Sequence, residues 1–89
     1  MINIKYFTST SCGPCKMLSP IMEQLKNESD GSYSVTKFDV AEHSDLVKHF
    51  EITSVPHIIF EKQGEVKQTI TGLRPKSVFI DIIKQVSEE

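Results

Sequence analysis

The hydrophobic positions of this chain change their spacing several times, and each change predicts a new element of secondary structure. Apolar and polar residues alternate in strand-like segments, whereas apolar residues recur every three or four positions in helix-like segments. Short stretches of Gly, Pro, Asn, Asp and Ser separate them. The predicted order is β-α-β-α-β-β-α, with strands at Ile2–Phe7, Tyr33–Val40, His57–Glu61 and Val66–Ile70, and helices at Cys15–Lys26, Ser44 to about Glu51, and Pro75 to about Val86.

This order of elements predicts an α/β fold built on one mixed sheet. A strand–helix–strand crossover requires parallel strands, whereas the last two strands pair antiparallel through a tight turn at Gln63-Gly64. The simplest arrangement is a four-stranded mixed sheet flanked by helices. Its core is predicted to contain the large apolar side chains at helix and strand spacing: Met17, Met22, Phe38, Phe50, Phe60 and Phe79.

Composition narrows the class of protein. The chain has 89 residues, 38% of them hydrophobic, which is typical of one small globular domain over residues 1–89. A net charge of −2 provides no basic surface, so a nucleic acid is not expected as a partner. The longest uninterrupted apolar runs are short, such as Ile58-Ile59-Phe60, so no segment is expected to span a membrane. The first residues lack the basic and apolar regions of a signal peptide, so a reducing, cytoplasmic setting is expected.

The chemistry of the chain is concentrated in its two cysteines. The segment Cys12-Gly13-Pro14-Cys15 follows a predicted strand and opens a predicted helix. A helix start favours a thiolate through its free N–H groups and its dipole, and Cys12 gains most from this. Cys15, one turn further on, is expected to be buried. The spacing therefore favours a redox-active dithiol in which Cys12 attacks a substrate disulfide and Cys15 resolves the mixed disulfide.

Two other roles for the cysteines remain open at this stage. Two cysteines with two of His43, His49 and His57 would suffice for tetrahedral zinc, although the three histidines fall in different predicted elements. A purely structural disulfide would close a loop of only four residues and would remove little chain entropy. With idle or zinc-bound cysteines, the chain would be a binding module rather than an enzyme.

The motif Cys12-Gly13-Pro14-Cys15-Lys16 resembles that of the thioredoxin family. The resemblance extends from the first strand to the last helix, and Pro20 stands where the family's first long helix is kinked. Three further positions are similar to functional positions of the family. Val55-Pro56 resembles the family's cis-proline segment, which lies beside the cysteines in a substrate groove. Gly72 matches a glycine that lines this groove, and Lys37 matches a lysine that is buried in many members.

The resemblance implies a thioredoxin-like fold and the reduction of protein disulfides. It implies disulfide-containing client proteins as partners, and a thioredoxin reductase or glutathione as the electron source. No bound cofactor or metal is implied, since the thiols carry the electrons, and a monomer is expected. A glutaredoxin-like carrier reduced by glutathione is the alternative, because glutaredoxins share this small frame, although they usually carry C-P-[YF]-C.

The chain departs from thioredoxins at several positions. It starts at the central strand, without the preceding strand and helix that thioredoxins carry. Ser11 stands where a Trp is usual on the substrate surface, and His57 where a Thr is common. Tyr6 replaces a buried aspartate that helps to move the proton of the second cysteine. We therefore hypothesise that Lys37 lowers the pKa of Cys15.

Overall fold

The computed structural model describes all residues from 1 to 89, and it confirms the predicted order of elements. Four strands form one mixed sheet, and three helices flank it. The strands are β1 (Ile2–Thr8), β2 (Tyr33–Asp39), β3 (His57–Lys62) and β4 (Glu65–Thr71), and the helices are α1 (Gly13–Glu28), α2 (Ser44–His49) and α3 (Lys76–Ser87).

Two helix starts differ from the predicted ones for reasons of capping. Helix α1 begins at Gly13, two residues early, because Cys12 is its cap and Pro14 fits the first turn, where its missing N–H would have no partner. Helix α3 begins at Lys76, and Pro75 is its extended cap residue rather than its first helical residue. Pro20 lies inside α1, as expected.

The strands lie in the order β2-β1-β3-β4. Strand β1 pairs parallel with β2 and antiparallel with β3, and β3 pairs antiparallel with β4. The β3–β4 turn has positive φ at both Gln63 and Gly64, as a type I′ hairpin requires. The register places Thr8 opposite Asp39 and His57 opposite Thr71. These residues lie at one end of the sheet, to which the loop before α1 also belongs.

Each face of the sheet carries its own apolar cluster. Helices α1 and α3 cover the face formed by alternate residues of β1 and β3, and the buried members include Ile4, Tyr6, Leu18, Met22, Leu25, Ile58, Phe60, Phe79 and Val86. Segments around α2, including the buried Ile52, cover Phe7 and Ile59 on the opposite face. Burial of each large apolar side chain contributes about 1.5–3 kcal/mol, so the first cluster holds α1 firmly on the sheet.

One residue of the predicted core is misplaced. Met17 is 66% exposed, whereas Met22, Phe60 and Phe79 are buried and Phe38 and Phe50 pack at the edge of the second cluster. The buried residues of α1 are Cys15, Leu18, Met22 and Leu25. Met17 lies about 100° around the helix from Leu18, outside that stripe. None of the three helices has the length and apolar character needed to cross a membrane.

Candidate active site

The two cysteines lie at the N-terminal end of α1 and are joined by a disulfide bond. Cys12 is the helix cap, with extended backbone, and its Sγ accepts a hydrogen bond of 3.1 Å from the backbone N–H of Cys15. Cys12 is half-buried, whereas only 1% of the Cys15 surface is exposed. The intervening Gly13 and Pro14 and the following Lys16 are exposed. The two sulfurs therefore have different surroundings, and Cys12 is the accessible one.

A second segment of backbone lies against Cys12. The carbonyl oxygen of Val55 is 3.7 Å from the Cys12 Sγ, and the Val55-Pro56 peptide bond is cis, which confirms the predicted isomer. Pro56 is buried, and its carbonyl accepts a hydrogen bond of 2.9 Å from the N–H of Gly72. The fold thus brings together Cys12, Val55, Pro56 and Gly72, which are separated by up to sixty residues in the sequence.

Gly72 follows β4 in a conformation that favours glycine. Its φ is +99°, and a Cβ at this position would lie 3.3 Å from Nη1 of Arg74. Ser11, at the start of the cysteine loop, is exposed and lies in a local turn in which its backbone N–H donates to Oγ of Ser9 at 3.4 Å. Ser11 therefore offers a small polar contact beside Cys12.

Beneath Cys15, between α1 and the ends of β1 and β2, lies a cavity of about 160 Å³ that is lined mostly by polar residues. Tyr6 forms part of its wall, and the buried Tyr6 hydroxyl donates a hydrogen bond of 3.0 Å to the carbonyl of Cys15. Lys37 also lines the cavity, but its side chain is exposed. The expectation that Lys37 is buried is therefore wrong. Its place on the edge strand β2 leaves it accessible to solvent.

His57 lies near the site without contacting the cysteines. Strand alternation puts it on the side of Ile59 and Phe7, the face covered by α2, and its Nδ1 is 3.4 Å from Thr71 Oγ1 across the β3–β4 pair. Burial lowers the pKa of His57 below its ordinary value. His57 and Thr71 therefore connect the ends of β3 and β4, next to Pro56 and Gly72.

The structure provides no zinc site of the kind that the cysteine count left open. No group of three or more His, Cys, Asp or Glu lies close enough to hold a metal ion. The rings of His43 and His49 pack edge-on against Phe38 and Phe50 instead. The histidines are thus kept apart by the elements that carry them.

Comparison with known proteins decides the family. The family model described as Thioredoxin matches residues 2–85. The chain belongs to the thioredoxin family. It is 36% identical over 84 residues to a thioredoxin of Staphylococcus saprophyticus, covering 94% of this chain and 81% of that protein. A thioredoxin of Listeria monocytogenes is 35% identical over 79 residues, which cover 89% of this chain and 77% of that protein.

The solved structures agree with this membership. A single-site mutant of a thioredoxin from Halobacterium salinarum superimposes with a TM-score of 0.87 at 30% identity, covering 94% of this chain and 73% of that one. Thioredoxin-family membership and the bonded Cys12–Cys15 pair together support a thiol–disulfide oxidoreductase.

Sequence reasoning missed one charged residue of the site. Asp39 lines the cavity beneath Cys15, two residues beyond Lys37 on the same face of β2. The alternation of β2 carries the signal, because residues 37 and 39 of a strand point to the same side. The predicted strand Tyr33–Val40 contains Asp39 as an interior polar residue, and nothing within that strand indicates that it lies beside Cys15.

Proposed function

We propose that this thioredoxin-family protein reduces disulfide bonds in client proteins, with residues 1–89 acting as a single domain. The observation that carries the proposal is the asymmetry of the two sulfurs. The accessible Cys12 Sγ lies at the start of a helix and accepts a hydrogen bond from the backbone N–H of Cys15. The side chain of Cys15 is buried one turn away. A reductase of this kind needs one sulfur that meets the client and a second that is shielded from it.

In the first step, the Cys12 thiolate attacks a client disulfide and displaces one client sulfur as a thiolate. The N–H of Cys15 and the positive end of the α1 dipole both favour the negative charge on Cys12. In the second step, Cys15 attacks the Cys12 sulfur of the mixed disulfide and releases the second client sulfur. The client gains two electrons, and the protein ends as the Cys12–Cys15 disulfide.

The client is held by the backbone beside Cys12. Neither the amide nor the carbonyl of Val55 takes part in a backbone–backbone hydrogen bond, so both can pair with an extended client segment. We expect Pro56, Gly72 and Ser11 to border the bound client segment. Main-chain recognition of this kind accepts many client sequences, which suits a general reductase.

The catalytic cycle needs an external electron source but no cofactor, since the two thiols carry the electrons. A thioredoxin reductase or glutathione would restore the dithiol. We favour a reductase, because the Gly13-Pro14 dipeptide between the cysteines is similar to that of thioredoxins rather than of glutaredoxins. A monomer and a cytoplasmic setting remain predictions from the sequence.

The test is the reduction of insulin disulfides by dithiothreitol, followed by turbidity. The wild-type protein is expected to accelerate it, and Cys12→Ser is expected to abolish the acceleration. Coupling to NADPH through thioredoxin reductase, and separately through glutathione and glutathione reductase, identifies the electron source. Full activity of Cys12→Ser would contradict the proposal and favour a binding module with idle cysteines.

A further inference from the structure

The buried position of Cys15 creates a requirement that the cysteines alone do not meet. On the proposed function, on which this inference rests, Cys15 must lose its proton before or while it attacks the mixed disulfide, because the thiolate is the nucleophile. With 1% of its surface exposed, Cys15 has little direct access to solvent. The cavity beneath Cys15 offers a path by which the proton can leave.

Four titratable side chains line this cavity together with Cys15. They come from all three elements around it: Tyr6 from β1, Lys16 from α1, and Lys37 and Asp39 from β2. Its volume of about 160 Å³ is large enough for several water molecules. A neighbouring cavity shares Tyr6 and Lys37 with it and adds Glu23 and Lys26, but does not include Cys15. Besides Cys15, these six residues are the charged or titratable groups that line the two cavities between α1 and the strands.

Chemistry leaves two proton acceptors among them, Asp39 and Glu23, and position separates the two. The Tyr6 hydroxyl donates a hydrogen bond to the carbonyl of Cys15, so Tyr6 anchors the first turn of α1. Lysine ammonium groups have no lone pair with which to accept a proton. Asp39 is the carboxylate that shares a cavity with Cys15, whereas Glu23 faces the neighbouring cavity.

The local structure holds Asp39 in position. Its Oδ1 accepts a hydrogen bond of 2.9 Å from the backbone N–H of Ala41, which fixes the carboxylate at the end of β2. The backbone of the next residue is also anchored, since Val40 N–H donates to the carbonyl of Thr8 at 3.0 Å. The second carboxylate oxygen remains available to a water molecule in the cavity.

We propose that Asp39 accepts the proton of Cys15, through water in the cavity, as Cys15 attacks the mixed disulfide. In this step the Cys15–Cys12 bond forms, the bond between Cys12 and the client sulfur breaks, and the client leaves as a thiolate. The proton passes from the Cys15 thiol to the Asp39 carboxylate and then to solvent or to the departing client thiolate. Asp39 thus serves the resolving step only.

The experiment separates the two steps with the aromatic disulfide 5,5′-dithiobis(2-nitrobenzoate) and reduced protein in molar excess, in stopped flow. Attack by Cys12 releases the first coloured thiolate, and attack by Cys15 releases the second. The variant is Asp39→Asn, whose amide oxygen can still accept the hydrogen bond of Ala41. Its melting temperature shows whether the fold is intact.

Asp39→Asn is expected to leave the first release unchanged and to slow the second at least about tenfold near pH 6, within the usual contribution of a general base. The second release in the variant should rise about tenfold per pH unit and reach the wild-type rate once Cys15 ionises by itself. Asp39→Glu should restore part of the rate, and Glu23→Gln, the matched control, should match the wild type.

A faster second release in Asp39→Asn would have a different cause. If Asp39 acted only as a nearby negative charge, removing it would favour the Cys15 thiolate, and Asp39→Asn would accelerate the second release. Acceleration, or an unchanged pH profile, would overturn the proposal. Two other outcomes would instead contradict the proposed function: no first release from the wild-type protein, or a first release from the Cys12→Ser variant. The Cys15→Ser variant calibrates the signal, because it can release only one equivalent.

Discussion

The hydroxyl of Tyr6 is expected to stabilise the first turn of the helix that carries both cysteines. The perturbation that tests this is Tyr6→Phe, which keeps the buried ring and removes only the hydrogen bond to the carbonyl of Cys15. Tyr6 is 1% exposed, so bulk water does not readily replace the lost donor. The substitution therefore probes one contact and leaves the packing of α1 on the sheet in place.

The expected cost is about 1 kcal/mol in the free energy of unfolding, the usual net value of a buried hydrogen bond between neutral groups. For a chain of this size, that corresponds to a fall of about 4–8 °C in melting temperature. The measurement is urea unfolding of the reduced protein, followed by circular dichroism. Tyr33→Phe is the matched control, because the Tyr33 hydroxyl also donates to a carbonyl of α1, that of Leu25, far from the cysteines.

Both variants should lose stability, but only Tyr6→Phe should alter the environment of the cysteines, measured as a changed rate of Cys12 alkylation. An unchanged free energy of unfolding in Tyr6→Phe would show that the contact contributes nothing. A loss above about 3 kcal/mol, the scale of core truncation, would show that the ring itself had moved.

Three further predictions concern the surroundings of the site. Gly72→Ala should lower the free energy of unfolding by about 1–2 kcal/mol in urea, because φ is +99° at this position. Gly13→Ala, at a position without positive φ, should change stability little. Equal effects of the two substitutions would refute the conformational argument. For His57, burial lowers the pKa below 6.5, so the unfolded chain binds a proton that the folded chain resists. Stability should therefore fall as the pH drops below about 6.5 and level off below the folded-state pKa; His57→Asn should remove this part of the pH dependence, and an identical pH profile would contradict it. Lys37→Ala should raise the pKa of Cys15 only slightly, since solvent screens the exposed ammonium; a thiol titration without any shift would refute the hypothesis.

The sequence was sufficient to predict the elements of the fold and the placement of the cysteines at a helix start, with Cys15 buried. Hydrophobic spacing is a local property, and the strand, the cysteine motif and the helix follow one another directly. The parallel β1–β2 pair follows from a single crossover with a known preference. Val55-Pro56 required the family resemblance, because proline alone favours a trans bond.

The errors arose where the outcome depends on neighbours that are distant in the chain. Met17 has the spacing of a helical face, but the sheet and α3 cover a narrower stripe of α1 that excludes it. Lys37 is exposed because β2 is an edge strand, which its own sequence does not reveal. Asp39 shares a cavity with Cys15 only after the β1–β2 register brings it level with Thr8.

The most direct test of the account is to identify which sulfur meets the client. Each single-cysteine variant is reduced and mixed with a disulfide-bonded peptide, and the products are measured by mass spectrometry. The account predicts that Cys15→Ser accumulates a mixed disulfide at Cys12, because Cys12 is accessible and the resolving thiol is gone. Cys12→Ser should accumulate almost none, because Cys15 is buried. Preferential trapping at Cys15 would contradict the division of roles on which the proposed function rests.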